Sequence, residues 1–543
     1  MRIAKVKITN FKCYEETFTL ALNDGLNVIV GANESGKTTI LEAIHLALTG
    51  LLHGRPLKND LTSYLFNLGA QDKYVKSLGT ASPLPPPAIT IELFFSGSSN
   101  ELAELEGNDN SERAWRCGVV YKIEFDEENY KGPYEELVKV GELNSIPVEY
   151  YTATMRSFAR KGITARNIPI KSALIDSSST RLQNGSDVYV SRIIRDVLEE
   201  KERASISQAH RKLKEAFVAD PNLKLINERI TKAAKISQKA VSISVDLSSQ
   251  TAWESSLMTY IDFIPFQYIG KGEQCVIKTK LALSAKKNAE ATAILLEEPE
   301  NHLSHARLNE LIADLTDQHG KKQIIISTHS SFVANKLGLD HLIVLRGGEV
   351  ARIAELEASD FFKKLAGYDT LRLALATKAI LVEGDSDELV VQRAYMDANG
   401  GRLPIQDGID VISVGTAFLR FLELADALNI PVAVVTDNDG DTPAVEKKYF
   451  AFKDSGTIRI CFDPVVDTGP LIKSKPYNYN TLEPKLLKAN DRATLNAILG
   501  TSAETDDELR IHMRANKTET ALSIFNSPTT ITYPDYIQKA IAP

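Results

Sequence analysis

Apolar residues recur along this chain in two rhythms, and the changes between them lay out its elements. Ile3 to Thr9 alternates polar and apolar positions and predicts a strand, whereas Leu26-Asn-Val-Ile-Val30 is the near-continuous run of a strand buried on both faces. Lys37 to Leu48 switches to helical spacing, with Ile40, Leu41, Ile44 and Leu48 on one side. Pro83-Leu-Pro-Pro-Pro87 predicts a linker or rigid turn before a strand at Ile89 to Phe95, and 97–111 reads as polar loop. Ser191 to Ala219 carries Ile193, Ile194, Val197, Leu198, Ile206, Ala209, Leu213, Ala216 and Phe217 at helical spacing among many charges, and Leu225 to Ala234 continues in that style. No heptad pattern lasts four repeats, which predicts a short helical insertion, used for a dimer or partner contact, and not a long coiled coil. Further buried strands are expected at Ala293 to Leu296, Ile324 to His329, Lys378 to Val382 and Pro431 to Thr436, with a mostly helical stretch from Ala354 to Ala376. A domain boundary is expected near residue 375.

The 543 residues are 43% apolar and 25% charged, enough for two or more packed cores and too apolar for a disordered chain. Met1-Arg-Ile-Ala-Lys-Val-Lys-Ile8 alternates charge and apolarity, unlike a signal peptide, and no apolar run is long enough to span a bilayer. Cys13, Cys117, Cys275 and Cys461 show no Cys-x-x-Cys spacing, which argues against a zinc ribbon or a disulfide framework and for a reducing cytoplasm. The net charge of −8 does not exclude a nucleic-acid partner, because phosphate affinity follows local fields and a metal-loaded carboxylate cluster reverses its own sign.

Two stretches carry chemistry. In the first, Gly31-Ala32-Asn33-Glu34-Ser35-Gly36-Lys37-Thr38, followed by Thr39, lies between an expected strand and helix. Glycines there let backbone amides close around a phosphate, Lys37 reaches the β- and γ-oxygens, and the Thr38 hydroxyl is placed for Mg²⁺. Downstream, Ala293-Ile-Leu-Leu-Glu297-Glu298-Pro299-Glu300 is an apolar strand closed by acids: Glu297 to hold Mg²⁺, directly or through water, and Glu298 to polarise a water. A strand running into an acidic turn is the plainer alternative. His329 closes another buried strand, as a γ-phosphate sensor or a satisfied core histidine. Gly270, Gly272 and Gln274 open a helix expected at Cys275 to Ser284, where the two glycines permit close backbone approach.

In this order these pieces resemble the ABC-type ATPase head shared by SMC and RecF-like proteins. The resemblance implies an ATP-binding α/β domain in which Gly270 to Gln274 completes the site of a second copy, Glu300-Asn301-His302-Leu303-Ser304 is a D-loop, and a homodimer, or else a tetramer, holds the nucleotides. Glu297 replaces the usual aspartate, Gly270-Lys271-Gly272 replaces Ser-Gly-Gly, and Gln71 lacks the preceding strand expected of a Q-loop glutamine. Slow or regulated hydrolysis is the expectation.

The second stretch begins with Val382-Glu383-Gly384-Asp385-Ser386-Asp387, acids at the end of an expected strand and on the next helix turn. Pro431 to Thr436 then runs into Asp437-Asn438-Asp439, whose two aspartates would point the same way on an extended segment, with Asp441 either a ligand or the acidic end of a turn. Oxygen-only ligands favour Mg²⁺ or Mn²⁺, and two such ions clamp the attacking and leaving oxygens of a phosphodiester. With Val414-Gly415 between them, these motifs resemble a Toprim domain. A head followed by Toprim resembles the OLD (overcoming lysogenization defect) family of ATP-dependent nucleases over nearly the whole chain. That resemblance implies a metal role for Glu483 in Asn480-Thr-Leu-Glu-Pro484, and a lysine near the scissile phosphate at Lys517.

The expected architecture is therefore α/β: an ABC-type head in two halves, 1–155 and 240–375, a mainly helical insertion at 156–239, and a Rossmann-like Toprim domain at 376–543. The basic stretch Arg156, Arg160, Lys161, Arg166 and Lys171 suits DNA contact, with a solvated loop as the alternative. The leading functional expectation is an ATP-controlled DNA nickase of antiphage defence, acting alone, with a helicase-like protein, or beside a reverse transcriptase and its noncoding RNA. The alternative is a RecF-like DNA clamp whose Toprim domain does not cut.

Overall fold

The computed structural model describes residues 1–57, 61–97, 100–140, 143, 145–176, 182–183, 186–187, 198–233, 242–244, 259–284, 293–318, 322–355 and 368–542. The chain forms two compact units, Met1–Val28 with Gly36–Thr328 and Ile29–Ser35 with His329–Pro543.

In the first unit, β1 (Arg2–Thr9), β2 (Phe18–Ala21), β4 (Ile89–Ser96), β5 (Arg116–Phe125) and β6 (Tyr151–Ser157) form an antiparallel sheet in the order β2-β1-β4-β5-β6. Ile3, Val6 and Ile8 are all fully buried although Ile3 breaks the two-residue alternation. A register shift between Ile3 and Lys5 absorbs the extra residue and returns all three to one face. β3 (Leu26–Gly31) starts in this unit and is buried throughout. β7 (Ser172–Asp176), β8 (Ala293–Glu297) and β9 (Gln323–Thr328) pair in parallel, and their unbroken apolar runs are those of strands covered on both faces. Helix α1 (Lys37–Thr49) meets strands of both sheets and is buried on every side from Thr39 to Leu48, which explains why its apolar residues exceed one stripe.

The segment after residue 155, expected as the start of an insertion, instead links two strands through a loop. β6 runs through Ser157, and Ser172–Asp176 joins the parallel strands. Lys171, read as a DNA-facing cation, instead gives its ammonium to the carbonyls of Ala165, Arg166 and Ile168 at 3.0, 3.4 and 2.6 Å, tying down the connecting loop. Helices α2 (Glu200–Ala219) and α3 (Pro221–Ala233) follow, with Leu213, Phe217, Leu225 and Ile226 exposed. Ile193, Ile194 and Val197 lie outside the described residues. α4 (Lys271–Ser284) and α5 (His305–Gln318) complete this part.

In the second unit, β10 (Leu342–Arg346) and β11 (Glu349–Arg352) make a hairpin whose turn residues Gly347 and Gly348 have φ of 56° and 86°. Strands β12 (Lys378–Val382), β13 (Ile409–Ser413), β14 (Val432–Val435) and β15 (Ile458–Cys461) form a parallel sheet ordered β13-β12-β14-β15. The chain leaves β12 for β13 on one side and returns to β14 on the other. This reversal opens a crevice at the carboxyl ends of β12 and β14, where such sheets bind ligands. Helix α6 (Asp385–Ala398) packs on the sheet with α7 (Phe418–Ala427), α8 (Leu482–Ala489), α9 (Asp506–Ala515), α10 (Lys517–Asn526) and α11 (Asp535–Ile541) contributing to this unit. Val382, Val391, Val435, Leu486, Met513, Ile524 and Ile537 share one core, so the C-terminal helices are part of the domain that holds the crevice.

Candidate functional site

At the carboxyl ends of the first unit's parallel strands, Asp176, Glu297 and Ser327 stand in register on neighbouring strands. Thr38, on the first turn of α1, donates its hydroxyl to Glu297 Oε1. Burial pushes the Glu297 carboxyl up to about 7, opposed by the Thr38 hydrogen bond and reinforced by Asp176, Glu42 and Glu298. Lys37 is 6% exposed, and burial lowers its ammonium against the attraction of Glu298, Glu300 and Glu297. Glu298 has φ of 41°, gives its amide to Ser327 at 2.8 Å, and accepts from the Asn301 amide at 2.8 Å; Thr328 donates to Glu300 at 2.6 Å. Half-buried carboxylates beside the Lys37 ammonium and the Thr38 hydroxyl at a helix start offer oxygen donors, and a magnesium nucleotide fits that donor set. Asp176 was not anticipated. Its signal was present, since Ser172-Ala-Leu-Ile-Asp176 is an apolar run closed by an acid, like Ala293 to Glu297.

Read backwards from α1, the glycine-rich motif leaves the first unit at Gly36 and belongs to the second from Ser35 back to Gly31. There a Cβ on Gly31 would lie 2.6 Å from Ser35 Oγ and 2.8 Å from the Leu345 carbonyl, and Glu34 has φ of 65°. Ser35 Oγ is buried without a hydrogen-bond partner among the described residues. In the first unit, Gly36 has φ of 95° and its Cβ would meet the Tyr14 hydroxyl at 2.5 Å. Ala32 and Asn33 complete the loop; Thr39 is buried, and His329, in the second unit, is exposed after the end of β9. Of the loop opening α4, Gly270 has open space, whereas a Cβ on Gly272 would come 2.2 Å from the His302 carbonyl. Gln274 points inward, donating to the carbonyls of Phe266 and Ile269 at 3.0 and 2.9 Å, so its side chain braces the loop it was expected to present to nucleotide. Gln71 is similarly occupied with Ser63 and Phe66.

The crevice of the second unit gathers Glu383 and Asp387 from one strand-to-helix segment, Asp437 from the end of β14 and Glu483 from α8. Asp387, on the first turn of α6, accepts the Gly384 amide at 3.1 Å. Burial raises its carboxyl to about 6, countered by that hydrogen bond and by Lys517, and strengthened by Glu383 and Glu483. Asp437 is raised further, by burial first and then by Asp387, Glu383, Glu483 and Asp439. Glu483, on α8, is 3% exposed and pairs with the Lys517 ammonium at 3.4 Å. Tyr536 of α11, unanticipated, is buried in the same field; burial and then Asp437 and Asp387 raise its hydroxyl.

Mutual repulsion among oxygen donors suits a divalent cation, and the residues fit in chemistry. Among the described residues, no group of three or more Asp, Glu, His or Cys side chains is arranged to hold a metal ion. Asp439 departs from the expected geometry. β14 ends at Val435, and Asp439 sits in a turn with φ of 48°, exposed, its carboxylate accepting from Asn478 at 2.9 Å. The extended segment assumed from the Asp-x-Asp spacing gives way because Asn438 turns inward to the carbonyls of Asp463 and Val465 at 2.6 and 3.0 Å. Asp441 caps the helix Thr442–Lys448, accepting from Ala444 at 3.0 Å.

A family model described as an AAA domain matches residues 5–379, well over half of the chain. The chain belongs to this family. Residues 375–439 match the TOPRIM domain of overcoming-lysogenization-defect-like proteins, and together the matches give this AAA-domain protein the ATPase–Toprim architecture of the OLD family. The chain thus joins an AAA domain, part of which is similar to RecF, to a Toprim domain, domain types that use ATP and divalent metals. "DNA replication and repair protein RecF" of Clostridium novyi (strain NT) is 33% identical over 97 residues, 18% of this chain and 25% of that protein. "DNA double-strand break repair Rad50 ATPase" of Methanopyrus kandleri is 50% identical over 46 residues, 8% of this chain and 5% of that one. The similarity thus spans a quarter or less of each relative's length. The SMC head domain of Thermotoga maritima, 14% identical, covers 65% of this chain and 98% of its own at a TM-score of 0.28. The Smc head of Pyrococcus furiosus, solved with the C-terminal domain of ScpA, is 13% identical and covers 67% of this chain and 100% of its own at 0.36. Among the described residues no helix is long and apolar enough to cross a membrane.

Proposed function

We propose that this protein is an ATP-controlled, divalent-metal-dependent DNA endonuclease that nicks its substrate, serving as an antiphage effector. One observation carries the reading: Asp387, Asp437 and Glu483 share one electrostatic field with the exposed Glu383 at the sheet's reversal point, and Lys517 lies beside Glu483. Divalent ions bound there would supply the positive charge that activates water and offsets the phosphodiester oxygens. Lys517 is placed to stabilise charge on the phosphate, and Asp439 adds negative field from the rim. At the first unit's site, Lys37, Thr38, Glu297 and Glu298 bind and hydrolyse ATP. Cleavage of a phosphodiester is downhill, so the nucleotide acts as a switch and not as fuel. A homodimer completes each nucleotide site through Gly270 to Gln274, and the exposed apolar residues of α2 and α3 serve its assembly or a companion protein.

A second reading, an ATP-gated DNA clamp with a silent Toprim domain, draws on the DNA repair names of the relatives that match the ATPase part. Supercoiled plasmid incubated with Mg²⁺ or Mn²⁺, with and without ATP, separates the two. Nicking that disappears in Asp437→Ala, with Lys37→Ala altering its ATP response, is the expected result; intact ATPase without cleavage in any condition favours the clamp.

A further inference from the structure

Two arginine–tyrosine stacks stand side by side next to the carboxylate crevice, and only one of them is neutralised. On α9, the Arg510 guanidinium lies 5.3 Å from the Tyr479 ring centroid and the Arg514 guanidinium 5.4 Å from that of Tyr477. The two rings meet edge to face at 5.1 Å. Arg510 has acids of its own, bonding Asp507 at 2.8 Å and approaching Asp506 at 3.9 Å, and its buried Tyr479 donates to the Pro470 carbonyl at 2.9 Å. That stack is a structural brace.

Arg514 differs. It is exposed, and among the described residues no carboxylate lies within ion-pair distance of it. Its seat is fixed, because the Tyr477 hydroxyl donates to the Arg510 carbonyl at 3.2 Å, while the neighbouring Asn478 holds Asp439. Asn516 then closes α9 and starts α10, so Arg514 stands three residues before Lys517, itself 3.4 Å from Glu483. The loop that carries Tyr477 adds Lys473 and Lys475 between Leu471 and Tyr479 with no acid. A guanidinium stacked on an aromatic ring keeps its planar fork presented while losing little rotamer freedom, a form suited to bidentate phosphate contact.

Building on the nuclease reading, we infer that Arg514, seated on Tyr477, grips a DNA backbone phosphate adjacent to the one held at the carboxylate crevice. Such a contact positions the strand without reading its sequence. It would also draw the polyanion toward a site whose own carboxylates repel it.

The test is binding of the full chain to labelled duplex DNA in Ca²⁺ over a series of KCl concentrations, beside nicking in Mg²⁺. Arg514→Gln should reduce the slope of log affinity against log salt by about 0.9, the loss of one phosphate contact, and weaken binding equally across unrelated sequences. Arg514→Lys should restore the slope while binding less tightly than wild type, since the charge returns without the stacked fork. A wild-type slope and affinity in Arg514→Gln, or no DNA binding by wild type, overturns the inference. Nicking by wild type with an unaltered Arg514→Gln slope defeats this contact alone. The altered slope in a protein that never cuts defeats the nuclease reading alone.

Discussion

Replacing Lys485 by Met should loosen the second unit measurably while keeping most of the side chain's volume. The Lys485 side chain is 2% exposed, and its ammonium lies 2.6 Å from Asp463, 2.7 Å from Asp467 and 2.9 Å from the Val465 carbonyl. It joins α8, which carries Glu483, to the loop that also holds Asn438. Removing one partner of a buried ion pair costs about 3–5 kcal/mol. Here the acids are 22% and 21% exposed, and Lys488 still reaches Asp467 at 2.6 Å, so solvent and that neighbour absorb part of the loss. A cost of about 2–3 kcal/mol remains, about thirty- to 150-fold in the opening equilibrium. With a urea dependence of about 2–3 kcal/mol/M, the midpoint should fall by about 1 M. Hydrogen exchange of peptides from 458–489 through a urea series reads this unit separately from the ATPase part. The pH dependence has a definite sign. Burial would raise the Asp467 carboxyl, but hydrogen bonds from Lys485 and Lys488 leave it below the usual range. Its stabilisation is complete above the unfolded value of about 3.9 and is lost as pH falls through the lower folded value. The gap between wild type and Lys485→Met should therefore narrow below about pH 4. Equal midpoints at neutral pH, or a gap that widens on acidification, would refute the reasoning.

Asp437→Asn relieves repulsion in the carboxylate crevice, so in chelator its thermal midpoint should rise by about 2–4 °C while Mg²⁺-dependent nicking falls at least about a hundredfold; calorimetry and a plasmid assay check the pair. Gly272→Ala drives a methyl against the His302 carbonyl and should cost about 1–3 kcal/mol in urea unfolding, whereas Gly270→Ala, in open space, should leave the midpoint unchanged. Lys37→Ala should lower ATP turnover by about a hundredfold or more in a phosphate-release assay without lowering the unfolding midpoint, because the lysine's burial already disfavours its charge.

What the sequence determined by itself were features in which one short segment contains both the scaffold and the chemistry. An apolar run followed by an acid or glycine loop is a buried strand delivering a polar group to the end of a sheet, which is why Gly31 to Thr38, Glu297, Glu383 and Asp437 stood out in chain order. Such segments need only their own spacing. Tertiary structure decided what depends on distant segments meeting. Asp176 reaches Glu297 because β7 and β8 pair across more than a hundred residues, many of them in the stretch read as helical insertion. Asp439 leaves the extended line because Asn438 finds carbonyl partners on another loop, and Lys171 folds back onto its own turn. Lys485, Tyr536 and the Arg514–Tyr477 stack are ordinary residues in sequence. They gain their roles from the burial, the missing counter-charge and the neighbouring carboxylates that packing C-terminal helices onto a parallel sheet creates, and electrostatic interactions of that kind depend on distance and dielectric, which no local pattern encodes.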